Sequence, residues 1–251
     1  MPVFKAEKQL IMACHITGNY DVNRNTTLPD DDFSLVQDWV NALIDLQLQG
    51  IVFHNNFSES TCAAHQNAFV SFVRVDYDPQ FNPNVFRYLV YRDFLRAHAQ
   101  EIESLFVTDV SDVVALNNPF VQPLFLAHPE ALFCGDEPKR LHDPWMREHA
   151  THLRGKIADY AVYEAEFAES TLLNCGIIGG NIAVMQELVE NLAFIHETHN
   201  RDNQTAYTGD MGAFNYVART AFQGRLLHGA PVNTVFKSYE QNRRDCWFRH
   251  K

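Results

Sequence analysis

The residues best suited to chemistry lie in the stretch LFVTDVSDVVALNNPF, at 105–120. An apolar run that reads as a buried strand ends at Asp109. A second carboxylate, Asp112, follows three residues later, and another apolar run begins behind it. In an open α/β sheet, ligands settle beyond the carboxyl ends of the strands. Two carboxylates at such an edge can hold a hard divalent cation, which takes oxygen ligands and neutralises a diphosphate. The same spacing also suits plain structure, with Asp109 closing the strand in an Asx-turn and Asp112 capping the next element. Spacing alone leaves both open.

Other patterns carry less. His196-Glu197-Thr198-His199 is one residue short of H-E-x-x-H, so zincin geometry fails. His149 and His152 share a helical face, a spacing common among surface residues. GIIGG (176–180) lacks the Lys-Ser/Thr of a P-loop and is not G-x-G-x-x-G; it suits either a close backbone approach to a ligand or a tight turn. No G-x-S-x-G is present, which disfavours an α/β-hydrolase. Five cysteines, an odd number with no C-x-x-C pair, exclude a disulfide framework and a Cys-type zinc site and point to a reducing, cytoplasmic setting.

The elements that must position the carboxylates follow from periodicity. QLIMACHI (9–16) reads as a strand that stops at Thr17-Gly18-Asn19. Asp30-Asp31-Asp32 is placed to cap a helix whose apolar positions Phe33, Val36, Trp39, Val40, Leu43, Ile44 and Leu46 keep the helical period up to Gly50. IVFH (51–54), FVSFVRV (69–75) and SLFVTD (104–109) read as strands, and 84–100 as a helix. This order predicts an α/β fold with a mostly parallel, Rossmann-like central sheet and helices on both faces. In the second half, ALFCG (131–135) and TLLNCGII (171–178) read as strands, 181–197 as an amphipathic helix starting at Asn181, and 210–222 as a shorter helix.

Composition bounds the rest. Eleven glycines in 251 residues fall below the usual ~7%, which excludes linker-rich and collagen-like chains. A net charge of −11 argues against nucleic-acid binding, where Lys and Arg neutralise phosphate. No apolar run approaches the ~20 residues of a membrane helix. The tail from Lys237 carries Lys237, Arg243, Arg244, Arg249 and Lys251 against Glu240 and Asp245. It reads as a solvated surface tail, as a segment closing over an anionic ligand, or as a point of peripheral membrane contact; Trp247 and Phe248 among the charges favour a packed tail over a frayed one.

The segment TDVSDVVALNNPF resembles the spaced acidic metal motif of GT-A nucleotide-sugar glycosyltransferases. Further pieces agree in order: ITGNYDVNR (16–24) after the first strand, NVFRYLVYRDFL (84–95) before the metal motif, then LFCGDE (132–137), NCGIIGG (174–180) and TGDMGAFN (208–215). The resemblance covers roughly residues 9 to 250. Two residues separate the carboxylates where the tightest form of the motif has one, and Met211 stands where many relatives carry Gln.

The resemblance implies a single GT-A-like catalytic domain over 1–251, with a nucleotide-binding half at about 1–112 and an acceptor and sugar half at about 113–251. It implies a sugar transferred from a nucleoside-diphosphate sugar to a glycan or other hydroxyl acceptor, with Mn²⁺ or Mg²⁺. Asp109, Asp112 and a late histidine, His250, would hold the metal, with Asp112 coordinating directly and His228 the runner-up to His250; His54 reads as structural. Thr17, Gly18, Asn19 and Asp21 would receive the nucleotide, with Arg24 and Arg87 as phosphate or positioning groups and Asp109 beside the diphosphate. Asn174, Gly179 and Gly180 would line the sugar pocket. Asp210 would act as acid/base or sugar-orienting group; an N-cap is its structural alternative. Two other classes fit the same carboxylates: a catalytically silent nucleotide- or glycan-binding domain and a metal-dependent phosphohydrolase.

Overall fold

The apolar run in QLIMACH, buried on both sides, sets the architecture. The computed structural model of the chain describes residues 8–18, 20–21, 26–201 and 209–251. In it this segment is strand β1 (Gln9–His15), which turns Leu10 and Met12 to one apolar layer and Ile11 and Ala13 to the other. The chain continues through a short antiparallel pair, β2 (Tyr20–Asp21) and β3 (Thr26–Thr27), then α1 (Ser34–Asp45), β4 (Gly50–His54), α2 (Glu59–His65) and β5 (Val70–Arg74). After these come α3 (Pro83–His98), β6 (Ser104–Thr108) and β7 (Val113–Ala115). The second half runs α4 (Pro123–Ala127), β8 (Leu132–Arg140), α5 (Pro144–His149), α6 (Thr151–Arg154) and α7 (Tyr160–Glu166). It ends with β9 (Thr171–Asn181), α8 (Ile182–His199), α9 (Asp210–Ala221), β10 (Leu226–His228) and β11 (Phe248–His250).

Seven strands from both halves form one sheet in the order β10-β8-β9-β6-β1-β4-β5. All neighbours are parallel except those of β9, which runs against β6 and β8. The sheet is thus mostly parallel, and both its faces are covered, as parallel sheets require. On one face α3, α8 and α9 bring Tyr88, Leu192 and Phe214 against Leu10, Met12, Leu105 and Val107. On the other, α1 brings Trp39, Val40 and Leu43 together with Trp247 and Phe248 of the tail. The Trp39 indole N–H donates to Thr108 Oγ1 at 2.8 Å, tying α1 to the end of β6. Among the described residues no helix is long and apolar enough to cross a membrane.

Two expectations take a more specific form. Of the triplet at 30–32, Asp32 does serve the start of α1, accepting from the Ser34 N–H at 3.0 Å, while Phe33 makes no side-chain bond there. Asp30 and Asp31 cross-link loops instead: Asp30 accepts from Asn56 Nδ2 at 2.7 Å and Asp31 from the Ser58 N–H at 2.7 Å. The tail is packed, as its aromatic pair favours, rather than solvated. Cys246, Trp247 and Phe248 are buried, Arg243 pairs with Glu240 and Asp245, and Lys251 pairs with Asp38.

Candidate functional site

The reversed direction of β9 builds the floor of the site. Its register sets Ser104 of β6 against Asn181 and Thr108 against Ile177. The first half of β9 therefore runs past the carboxyl end of β6, and the Asp109 N–H donates to the Gly176 carbonyl at 2.8 Å. Asp112 lies in the short link to β7. There the tail returns: β11 pairs antiparallel with β7, His250 facing Val113, and the Lys251 N–H donates to the Asp112 carbonyl at 2.8 Å. A ligand atom from each of Asp109, Asp112 and His250 lies within 4.8 Å of the others. A cation bonded at about 2.0–2.2 Å spans about 4.0–4.4 Å between opposite ligands, so small side-chain adjustments close the set. Two carboxylates and one imidazole could hold a divalent cation.

The surroundings fit such an ion. His250 is 1% exposed, its Nε2 stands 3.7 Å from Asp112 Oδ2, and its buried Nδ1 has no hydrogen-bond partner among the described residues. Gly176 is the bare cradle: a Cβ there would lie 2.7 Å from Asp109 Oδ2, 2.7 Å from His250 Cε1 and 2.9 Å from Asn174 Oδ1. Burial pushes the Asp109 carboxyl up, against the pull of Arg87, and the Asp112 charge pushes the same way. A cation would reverse that cost.

Behind the carboxylates, Arg87 of α3 bridges two acids. One guanidinium nitrogen bonds Asp109, and the other lies 3.5 Å from Asp210 Oδ2 and 3.2 Å from Cys175 Sγ. Asp210 is the first residue of α9 behind an N-cap at Gly209, whose φ is +77°, so Asp210 is not the cap. Its side chain, 9% exposed, faces Arg87 and the cleft. Burial holds the Cys175 thiol well above its ordinary value, so it stays protonated.

Asn174 and Glu137 form a second pair. Asn174 Nδ2 donates to Glu137 Oε1 at 2.8 Å, while Asn174 Oδ1 accepts from the Gly176 N–H at 2.7 Å. Glu137 is 4% exposed, and burial pushes its carboxyl up. These groups line a cleft of about 740 Å³ whose wall on the β1 side is Cys14, His15 and Ile16.

Several expected residues fall elsewhere. Thr17 and Gly18 do not line the cleft: the Thr17 N–H bonds Asn55 Oδ1 at 2.9 Å and its hydroxyl bonds Asp30 at 3.2 Å, while Gly18, at φ +78°, turns the chain. Gly179 and Gly180 pair with Phe106 and Leu105 inside the sheet, where a Cβ at 179 would strike the Phe106 ring at 2.2 Å. The antiparallel register brings Gly176 to the edge in their place. Asn19, Arg24 and Thr208 lie outside the described residues, as does the Asp21 side chain. His228 bonds Asp136 at 2.9 Å, and His54 Nδ1 accepts from the Phe57 N–H at 3.2 Å; neither lines the cleft.

Sequence reasoning missed Gly176 and Glu137 as site residues. Both stood inside segments already singled out, Gly176 as the first glycine of GIIGG and Glu137 at the end of LFCGDE. No family model matches the sequence, and a search of curated proteins returned no match.

Proposed function

We propose that the chain is a metal-dependent glycosyltransferase of GT-A type, moving a sugar from a nucleoside-diphosphate sugar to a glycan or other hydroxyl acceptor. The observation that carries this reading is the convergence of Asp109, Asp112 and His250 at the carboxyl edge of a mostly parallel sheet, inside a cleft roomy enough for two substrates. When bound, a divalent cation supplies charge stabilisation to the departing diphosphate.

The chain's own residues do the rest. Asp109 and Asp112 bring opposing charge to the site from one loop, and His250 fixes the third position from the tail. Arg87 holds Asp109 and Asp210 in place and is itself largely neutralised by them, which suits a positioning group better than a free phosphate ligand. Asp210 faces the cleft beside Asn174. In an inverting reaction it takes the proton of the acceptor hydroxyl, at hydrogen-bond range or through one water. In a retaining reaction the same carboxylate, with Asn174, holds the donor sugar. Glu137, tethered by Asn174, is a further carboxyl lining the cleft.

The test is turnover. Incubating the protein with a panel of nucleoside-diphosphate sugars and Mn²⁺, with and without acceptor extracts, should release nucleoside diphosphate in a chelator-sensitive way, and Asp112→Asn should abolish it. Release of inorganic phosphate alone would favour a phosphohydrolase. Saturable binding without turnover would favour a silent binding domain. Either result overturns the transferase.

A further inference from the structure

The cleft wall opposite β1 carries an aromatic surface with no role in the chemistry described so far. It begins where the chain leaves β8 past Lys139 and enters α5, whose second residue is Trp145. Of the three tryptophans, Trp39 and Trp247 are 2% and 1% exposed, whereas Trp145 is 36% exposed and lines the cleft. The backbone that bears it is fixed: Asp143 caps α5 and accepts from the Trp145 N–H at 3.0 Å. His149, one turn on, packs on the indole with ring centroids 4.0 Å apart. The Lys139 ammonium lies 4.9 Å from the ring centroid and 4.0 Å from Asp143 Oδ1. Both contacts are weak at a partly exposed site, so the lysine covers the ring without locking it.

We propose that Trp145 is the platform of a glycan-binding subsite, on which a pyranose ring of the acceptor rests its C–H face. This rests on the transferase reading for the word acceptor, but the binding chemistry stands on the wall itself. A pyranose is amphipathic, with axial C–H bonds forming an apolar face and hydroxyls projecting around the rim. The indole meets the face, as large aromatics do when one side is apolar and the other wet. Lys139 swings off the ring to donate to hydroxyls, and Glu137, on the same wall, accepts from them. The strand order separates the two substrates. β8 and β1 lie on opposite sides of β6, and Asp109, at the carboxyl end of β6, stands between them. A nucleotide over the β1 end whose diphosphate reaches Asp109 leaves the β8 side, and Trp145, to the other substrate.

The test uses the full chain without metal or donor. Neutral tetrasaccharides of cello, malto, chito and xylo type are titrated calorimetrically into wild type, Trp145→Phe and Trp145→Ala. At least one should bind, with affinity falling in that order and by about tenfold or more in the alanine variant, the scale of losing one stacking partner. The same glycan should protect wild-type emission from acrylamide, because Trp145 is the exposed indole. Emission of buried Trp39 and Trp247 reports that each variant is folded. Equal affinity in all three proteins, or no binding by any of the four glycans, overturns the subsite. Glycan binding without transfer from any donor overturns the transferase and leaves the subsite. Transfer with acceptor affinity indifferent to Trp145 does the reverse.

Discussion

Replacing Gly176 by alanine places one methyl carbon 2.7 Å from Asp109 Oδ2 and from His250 Cε1, and 2.9 Å from Asn174 Oδ1. Carbon rests at about 3.5 Å or more from its neighbours, so both proposed ligands must retreat by several tenths of an ångström. Metal sites tolerate about 0.2 Å. Gly176→Ala should therefore lower Mn²⁺ affinity by about 10–100-fold, the scale seen when the support of a ligand is disturbed, equivalent to about 1.4–2.8 kcal/mol. Overpacking should also cost about 1–3 kcal/mol of stability, lowering Tm by about 2–12 °C. Gly179→Ala is the control: its Cβ meets the Phe106 ring at 2.2 Å, inside the sheet. That variant should lose stability yet bind Mn²⁺ normally when folded. Calorimetric titration with Mn²⁺ and a thermal melt read both quantities. Unchanged Mn²⁺ affinity in Gly176→Ala, or an equal loss in Gly179→Ala, would refute the placement of the cation over Gly176.

Three further outcomes are expected. His250→Ala should weaken Mn²⁺ binding while leaving the fold intact, whereas deletion from Cys246 onward should unfold much of the protein, since losing one buried aromatic of the size of Trp247 costs about 3–5 kcal/mol; equal melting of the two proteins would contradict the packed tail. Arg87→Met should destabilise by about 3 kcal/mol, the low end for unpairing buried charges because Asp109 is partly exposed, and a denaturant midpoint that barely moves would remove Arg87 as the bridge. Burial, with help from Arg74, pushes His54 from its ordinary 6.5 down to about 4. Between those values the unfolded chain binds a proton that the folded chain refuses, so stability is full above about pH 6.5 and drains as pH falls toward about 4. His54→Gln should flatten that slope in urea titrations, and an unchanged slope would assign the acid sensitivity to other groups such as His152 or His196.

Much of this architecture is legible in the sequence because it is local. Continuous apolar runs mark β1 and β6, Asn181 announces α8, and a strand running into Asp109 identifies the sheet edge. What is not legible is set by pairing between distant segments. Nothing in TLLNCGIIGGN says that β9 runs backwards, and that direction alone decides that Gly176, rather than Gly179 or Gly180, meets the carboxylates. The return of the tail onto β7 depends on burying Trp247 and Phe248 against Phe106 and Phe133, contacts more than a hundred residues apart. Likewise the sequence leaves Asp210 between a functional carboxylate and a helix cap, and only the approach of α3 supplies the Arg87 that it faces.

The most direct test is the location of the metal. Crystals grown with Mn²⁺ and a nucleoside diphosphate, with diffraction recorded near the manganese edge, should show one anomalous peak at bonding distance from Asp112, His250 and a diphosphate oxygen, with Asp109 in contact or one water away. A peak elsewhere in the chain, or none at concentrations that saturate the calorimetric titration, would contradict the assignment of Asp109, Asp112 and His250 as the metal site.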